Sequence, residues 1–446
     1  MKKFTKTEFN SKIHQLIPGG AHTYSKGDDQ FPSNAPTGIV KGDGAWVWDL
    51  EGRKFLDCSM GLGSVTLGHA FPAVSNAVKK QIDLGVNFQR PSMVEMLAAE
   101  KFLNLLPNQD MVKFAKNGST VTTAAIKLAR AYTGRDLVAF PGDHPFYSYD
   151  DWFIGKTECN KGVPESTQQL SMTFKSCDSQ SLRNLFKSNP GKIACIILEP
   201  EKFHCGSFCS CNNSVENYLR EAIEISHENG ALVIFDEMVT GFKTSFPGTT
   251  TKYNLKPDLI TWGKGIANGF SCSALTGIKE VMNLGGISAI GQEKVFLIST
   301  THGAETHALV ALMETIDNYI ENNICDAIAM KGNYIIEKTK KLINDYNLGE
   351  FIKVSNSTWT PVWTFSGPGE IDDAIYRTFF LQEMIENKVL FQGALVPSAS
   401  HEENELDFFL KAFEKSLESY RSSVKLGNVQ QKLRGEPIKP VFRKYI

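Results

Sequence analysis

The chain has 446 residues, 42% of them hydrophobic and 22% charged, with a formal net charge of −2. Such a length exceeds one ordinary core and predicts roughly two to three domains. The near-neutral balance excludes a broad electrostatic attraction to nucleic acid or to an anionic membrane. The first residues, Met1-Lys2-Lys3-Phe4-Thr5, lack the apolar core of a secretory signal, and no run reaches the roughly 18 apolar residues of a membrane span. A cytoplasmic protein that acts on small molecules, without nucleic-acid or membrane partners, is therefore expected. The nine cysteines fit reduced thiols. His204, Cys205, Cys209 and Cys211 cluster in "FHCGSFCSCNN", but C-x3-C-x-C is not a usual zinc spacing, and no metal is expected.

Near the N-terminus, "GAWVWDLEGRKFLD" alternates apolar and polar residues around Leu50-Glu51-Gly52 and predicts a β-hairpin. Further on, "FAKNGSTVTTAAIKLARAYTGRD" predicts a helix with Ala125, Leu128 and Ala129 on its apolar face and Gly134 as its stop. Three apolar runs follow, "KIACIIL" (192–198), "ALVIF" (231–235) and "DLITW" (258–262), each reading as a strand buried on both faces. Between the first two, a helix is predicted from Asn213, with Glu216 as capping-box partner and Gly230 as stop. This βα alternation predicts an α/β fold with a mostly parallel central sheet. Long helical patterns follow residue 325, and residues 421–446 read as a polar surface tail. The expected organisation is an N-terminal arm with part of a small α+β domain over 1–75, a large domain over 76–325, and the rest of the small domain over 326–446.

The polar residues sit at the ends of these runs. Glu199 follows the first strand, Asp236 the second, and Gly263-Lys264 the third. In open α/β sheets the ligand crevice lies beyond the carboxyl ends of the strands, so two acids and an amine are aimed at one region. Gly118-Ser119-Thr120 opens a helix, which suits either an anion such as phosphate or plain N-capping by a hydroxyl. Asp236, desolvated at a strand end, needs a cation or hydrogen-bond donors to stay ionised. Lys264 lies between two glycines, as expected where the backbone turns hard; such an amine is either a nucleophile with a lowered pKa or a lysine reaching for solvent.

A phosphate cradle, an acid for a ring nitrogen and an amine for an aldehyde are together what pyridoxal phosphate (PLP) requires of a protein. The order and spacing of "NGS" (117–119), "GDH" (142–144), "FDEMVTGF" (235–242), "WGKGIANG" (262–269) and "STTHGAETHALVA" (299–311) resemble class III PLP-dependent aminotransferases. The branch most resembled is glutamate-1-semialdehyde 2,1-aminomutase. "LIPGGAHTYSKGD", "GAWVWDLEGRKFLD" and "VPSASHEENE" extend the resemblance from about residue 16 to about residue 420.

The resemblance implies the PLP-dependent transferase fold type I, like aspartate aminotransferase, and a homodimer with shared active sites. It also implies roles. Lys264 matches the lysine that bonds the cofactor's aldehyde and moves the catalytic proton, and Asp236 the aspartate that holds the ring nitrogen protonated. Gly118 and Ser119 match the phosphate loop, and Met238 the residue that packs one ring face. Thr301 matches the threonine that reaches the phosphate from the neighbouring subunit, with Thr300 next in line. His144 occupies the place of a stacking tyrosine or phenylalanine. His22, Tyr24, Ser25, Lys26 and Glu199 fall near the substrate.

Several positions depart from the family pattern. Ser-Gly-Thr-Glu reads Asn117-Gly118-Ser119-Thr120, Tyr-His-Gly reads His144-Pro145-Phe146, and Gly-Asn-Pro reads Ala304-Glu305-Thr306. Lys26 replaces an arginine that recognises the substrate carboxylate in the aminomutase branch, and a point charge replaces a bidentate fork. The reading from sequence is thus an aminotransferase acting between an amino donor and a keto or aldehyde acceptor, such as a sugar or a phosphorylated metabolite. The alternative is an intramolecular 2,1-aminomutase.

Overall fold

The computed structural model describes residues 4–201, 215–288 and 290–445. Its strands, in chain order, are β1 (Ile39–Asp43), β2 (Trp46–Asp49), β3 (Lys54–Asp57), β4 (Met111–Ala115), β5 (Leu137–Pro141), β6 (Ser171–Phe174), β7 (Ile193–Leu198), β8 (Leu232–Asp236), β9 (Leu259–Trp262), β10 (Ser273–Gly277), β11 (Ile352–Val354), β12 (Trp363–Phe365) and β13 (Val389–Leu390). The described residues fall into two units. One runs to Phe71 and resumes at Asp326–Arg443; the other occupies the span from Pro72 to Cys325.

The larger unit is built on a seven-stranded sheet of order β4-β10-β9-β8-β7-β5-β6. Strands β9, β8, β7, β5 and β6 pair in parallel, and β10 runs antiparallel to both β9 and β4. The sheet is therefore mostly parallel, and β4, β5, β7, β8 and β9 all end on the same edge. The apolar runs explain its centre: all six residues of β7, all five of β8 and all four of β9 are buried. At ~1.5–3 kcal/mol per large apolar side chain removed from water, β7 alone contributes on the order of 10 kcal/mol against the entropy of ordering it. The helix Gly118–Thr133 lies across β4, β10, β9, β8 and β7, and ends at Gly134 with φ of 66°. The helix Val215–Glu228 follows the first gap in the described residues, so the expected start at Asn213 lies outside them. The cysteine cluster at 204–211 also lies outside them.

The smaller unit contains the expected hairpin, β2 and β3, turning at Gly52 with φ of 77°. β1 pairs antiparallel with β2, and β13 joins β3 in parallel. Its core is aromatic: Trp363, Phe365, Phe380, Phe409, Phe413 and Tyr420 pack within one buried cluster. The segment beyond Gly427 is exposed or partly exposed at nearly every described position, as expected of a surface tail, and it is held by specific hydrogen bonds. Ile438 N–H donates to Thr378 Oγ1 at 2.9 Å, Lys439 N–H to the Asp29 carbonyl at 2.9 Å, and Arg443 pairs with Asp29 at 2.6 Å. Polar residues gave no periodic signal there, but the backbone itself is tied down by these partners.

Candidate active site

Five parallel strand ends deliver the site. Beyond β4, Asn117 accepts the Thr120 N–H at 3.0 Å and caps the helix Gly118–Thr133. The cap is thus the asparagine, and Ser119 lies within the first turn, its Oγ accepting the Tyr149 N–H at 3.0 Å. The first-turn amides and the positive end of a sixteen-residue helix remain as an anion-binding feature.

Beyond β5 and β7, which are neighbours, His144 and Glu199 meet. His144 Nε2 lies 2.9 Å from Glu199 Oε2, and both side chains are buried. His144 Nδ1 accepts the Phe146 N–H at 3.1 Å, so the neutral ring carries its proton on Nε2 and donates it to Glu199. One face of the imidazole stacks on Tyr147, with centroids 3.7 Å apart and planes at 20°. The Tyr147 hydroxyl in turn accepts the Glu199 N–H at 3.2 Å. Glu199 Oε1 is buried without a hydrogen-bond partner among the described residues.

Beyond β8, Asp236 is buried, and its hydrogen bonds among the described residues fall on Oδ1: from Thr261 Oγ1 at 2.9 Å and from Met238 N–H at 3.0 Å. Oδ2 is left to a further donor. Burial, reinforced by the Glu199 charge, pushes the Asp236 carboxyl up to about 6, while Thr261, His144 and the Met238 amide pull the other way. The carboxylate is therefore held at a cost that a cationic partner on Oδ2 would remove.

Beyond β9 comes Lys264. Desolvation lowers its pKa, against the opposing charges of Glu199 and then Asp236. Lys264 itself takes the left-handed conformation, with φ of 48°, whereas Gly263 is extended at φ of 177°. This corrects the expectation that the flanking glycines make the hard turn. A Cβ on Gly263 would lie 2.2 Å from Met238 Sδ and 2.8 Å from Ser273 Oγ, and one on Gly118 would lie 2.8 Å from Met238 Cε. The glycines thus make room for Met238, and the strain sits on the lysine, a non-glycine residue at positive φ beside a candidate reacting group.

Glu199, Asp236 and Lys264 are brought together, with His144 bonded to Glu199 and Met238 wedged against Gly118 and Gly263. Thr301 lies in an exposed turn, where its carbonyl accepts from Asn87 at 3.0 Å. His22, Tyr24 and Lys26 lie on an exposed segment of the smaller unit, where the Ser25 carbonyl accepts from Gln392 at 3.1 Å. Two residues were missed from sequence. Thr261 carried a signal, a hydroxyl inside an apolar strand; its register opposite Asp236 appears only once strands are paired. Tyr147 carried none beyond its nearness to His144. A second buried amine, Lys243, has its pKa lowered to about 7, by desolvation first and then by the Lys264 charge.

The profile of the aminotransferase class-III family matches residues 29–354. A glutamate-1-semialdehyde 2,1-aminomutase from Methanococcus maripaludis is 33% identical over 351 residues, covering 76% of this chain and 78% of its own. The enzyme of the same name from Thermus thermophilus is 30% identical over 421 residues, covering 90% and 96%. Among solved structures, the FumI protein of a Sphingopyxis species, in its PLP internal aldimine form, superposes with a TM-score of 0.84 at 22% identity, covering 97% of this chain and 98% of that one. An omega-transaminase from Sphaerobacter thermophilus gives 0.82 at 19% identity, covering 94% and 98%. The arrangement at the strand ends therefore stands on the fold of known transaminases, and the chain belongs to the class-III aminotransferase family.

Proposed function

We propose that this chain shifts an amino group within one small amino aldehyde, the reaction class that its relatives' name states for glutamate 1-semialdehyde. The observation that carries this reading is the 30% identity to an enzyme of that name along 421 residues, nine-tenths of the chain. The cofactor is pyridoxal phosphate. When bound, it supplies a carbonyl that takes up an amine and a ring that withdraws electrons. The residues present fit it: among the described residues the donors to Asp236 fall on Oδ1, a first-turn helix end offers amides, and two glycines keep the space beside Met238 open.

In this reading Lys264 would bond the cofactor and would carry one proton between two carbons, which the lowering of its pKa by desolvation favours. Asp236 would hold the ring nitrogen, the Gly118 and Ser119 amides would hold the phosphate, and Met238 and His144 would pack against the ring. His22, Tyr24 and Lys26 meet the substrate, with Lys26 as the cation for its carboxylate. Thr301 reaches the phosphate of a second copy in a homodimer. Leu84, Phe88, Met93 and Met96, all exposed on the larger unit, are apolar surface that self-association would cover. The sugar or phosphorylated substrate expected from the polar arm has no support in the relatives' names.

The test supplies the protein, loaded with pyridoxamine phosphate, with glutamate 1-semialdehyde and no other amine. Appearance of the isomer with its amine on the former aldehyde carbon supports the intramolecular shift. A second reading, transamination between two molecules, is favoured by Lys26 in place of the branch's arginine. Release of 2-oxoglutarate when the PLP-loaded protein is given glutamate alone, with no isomerisation by the pyridoxamine-loaded form, would select it.

A further inference from the structure

The exposed turn that carries Thr301 lies in the larger unit and runs into the helix Thr306–Asn322. Its far end is stitched down. The Thr306 N–H donates to the Val86 carbonyl at 3.0 Å, and Gln81 Nε2 donates to Thr306 Oγ1 at 3.1 Å. Thr301 is held through its backbone, by Asn87 Nδ2 on its carbonyl at 3.0 Å. Between these two anchors stands Glu305, an acid where the family pattern has asparagine. Both of its carboxylate oxygens are engaged. Oε2 pairs with Lys116 Nζ, and Oε1 lies 3.1 Å from Nδ1 of His302, the residue next to Thr301.

Lys116 links this turn to the cofactor site. It follows β4 and immediately precedes Asn117, the cap of the helix whose first turn offers the Gly118 and Ser119 amides. Lys116 is itself fixed at both ends: its carbonyl accepts from Ser271 Oγ at 2.7 Å, and its ammonium donates to the Ser271 carbonyl at 3.5 Å. The Lys116 and Glu305 side chains are 24% and 17% exposed, so solvent screens this pair less than one on an open surface. Lys116 keeps the Glu305 carboxyl below its ordinary pKa, so the acid is ionised near neutrality. A neutral amide at this position could not form the pair.

We infer that Glu305 is a positioning residue. Through Lys116 and His302 it fixes the Thr300–Thr301 turn to the strand end that carries the chain's own phosphate loop, and so presents Thr301 to the phosphate bound by a second copy. This deepens the function proposed above and rests on its assignment of Thr301. A carboxylate repels a phosphate, so Glu305 acts on the turn and not on the anion, and Lys116 balances its charge. An exposed turn would otherwise lose conformational freedom when it met the phosphate; a turn fixed in advance has already lost it. The loop that holds one phosphate and the turn that reaches the other are thereby joined within one chain.

Two readings of the full-length protein test this. In the PLP-loaded protein, cofactor loss during dialysis is followed by absorbance. Glu305→Gln and Lys116→Met should each lose PLP roughly twofold to fivefold faster than wild type. In a Thr301→Ala background, Glu305→Gln should add nothing further, because both changes remove the same contact. In cofactor-free protein, hydrogen exchange of residues 300–306 should quicken in Glu305→Gln and stay unchanged in Thr301→Ala. Exchange that does not change in Glu305→Gln overturns the inference. So does a loss of retention that persists in full beside Thr301→Ala, because Glu305 would then act somewhere other than the turn. Failure of the functional reading looks different. Wild-type protein that takes up no PLP, or Thr301→Ala that retains it fully, removes the role of Thr301, while exchange of the turn still decides whether Glu305 holds it.

Discussion

Asp236 and Glu237 are adjacent acids at the end of one strand, both buried, and they meet opposite fates. Glu237 is fully satisfied: Thr240 donates to Oε2, the Thr250 N–H and hydroxyl both reach Oε1 at 2.7 Å, and Gly248 leaves it space. Asp236 has two donors on one oxygen and an open second oxygen. Burial raises the pKa of both acids, so burial does not distinguish them. What distinguishes them is completeness. Glu237 closes a loop onto the sheet, whereas Asp236, with Glu199 and Lys264, forms a set that lacks a ligand's worth of partners.

Substitutions at the two acids should therefore fail in different ways. The largest effect is on catalysis. Asp236→Ala should lower turnover by roughly 10³-fold while the protein stays folded, because a ring nitrogen without its carboxylate is not held protonated. Steady-state kinetics check this, and near-normal turnover would remove the assigned role. Glu237→Ala should act on stability, costing about 3 kcal/mol or more, because three buried donors lose their acceptor. Denaturant unfolding measures it.

A smaller effect has the opposite sign. In cofactor-free protein, Asp236 titrates at about 6 against an ordinary 3.8. For an acid whose folded pKa is raised, the fold penalises the ionised form. The penalty is absent below the ordinary value, grows between the two values, and is full above the folded one. Asp236→Asn should thus make the cofactor-free protein more stable by about 2–3 kcal/mol above roughly pH 6, with the gain vanishing below roughly pH 4. Thermal melts at both ends of that range test it, and a gain independent of pH would contradict it.

Gly263→Ala comes next, at about 1–3 kcal/mol of overpacking, because its Cβ falls 2.2 Å from Met238 Sδ. Adding Met238→Ala should recover part of the loss. If the pair is no better than Gly263→Ala alone, the clash lies with Ser273. The smallest effect is at Thr301, where Thr301→Ala should weaken PLP retention only modestly; dialysis followed by absorbance reads it.

The same comparison shows what the sequence made legible. The strand ends were readable because charge stops abruptly at three apolar runs, so Glu199, Asp236 and Lys264 were found together. Their completeness was not readable. That His144 meets Glu199 depends on β5 lying beside β7, a pairing between residues 55 apart with no local signature. That Thr261 serves Asp236 depends on register. Local chemistry also misled at one point: glycines beside Lys264 suggested a hard turn, but the lysine holds the positive φ and Gly263 yields room to a side chain from the preceding strand's end. The partners of the C-terminal segment, such as Asp29 and Thr378, are not legible, because polar composition says nothing about backbone hydrogen bonds.

The account stands on Lys264 as the residue that bonds the cofactor, and a titration with PLP followed by visible absorbance tests that most directly. The wild-type protein should develop a new band that sodium borohydride fixes onto the peptide carrying Lys264, and Lys264→Ala should develop none. A wild-type protein that stays colourless at saturating PLP, or a band that persists in Lys264→Ala with the label on another lysine such as Lys243, would contradict it.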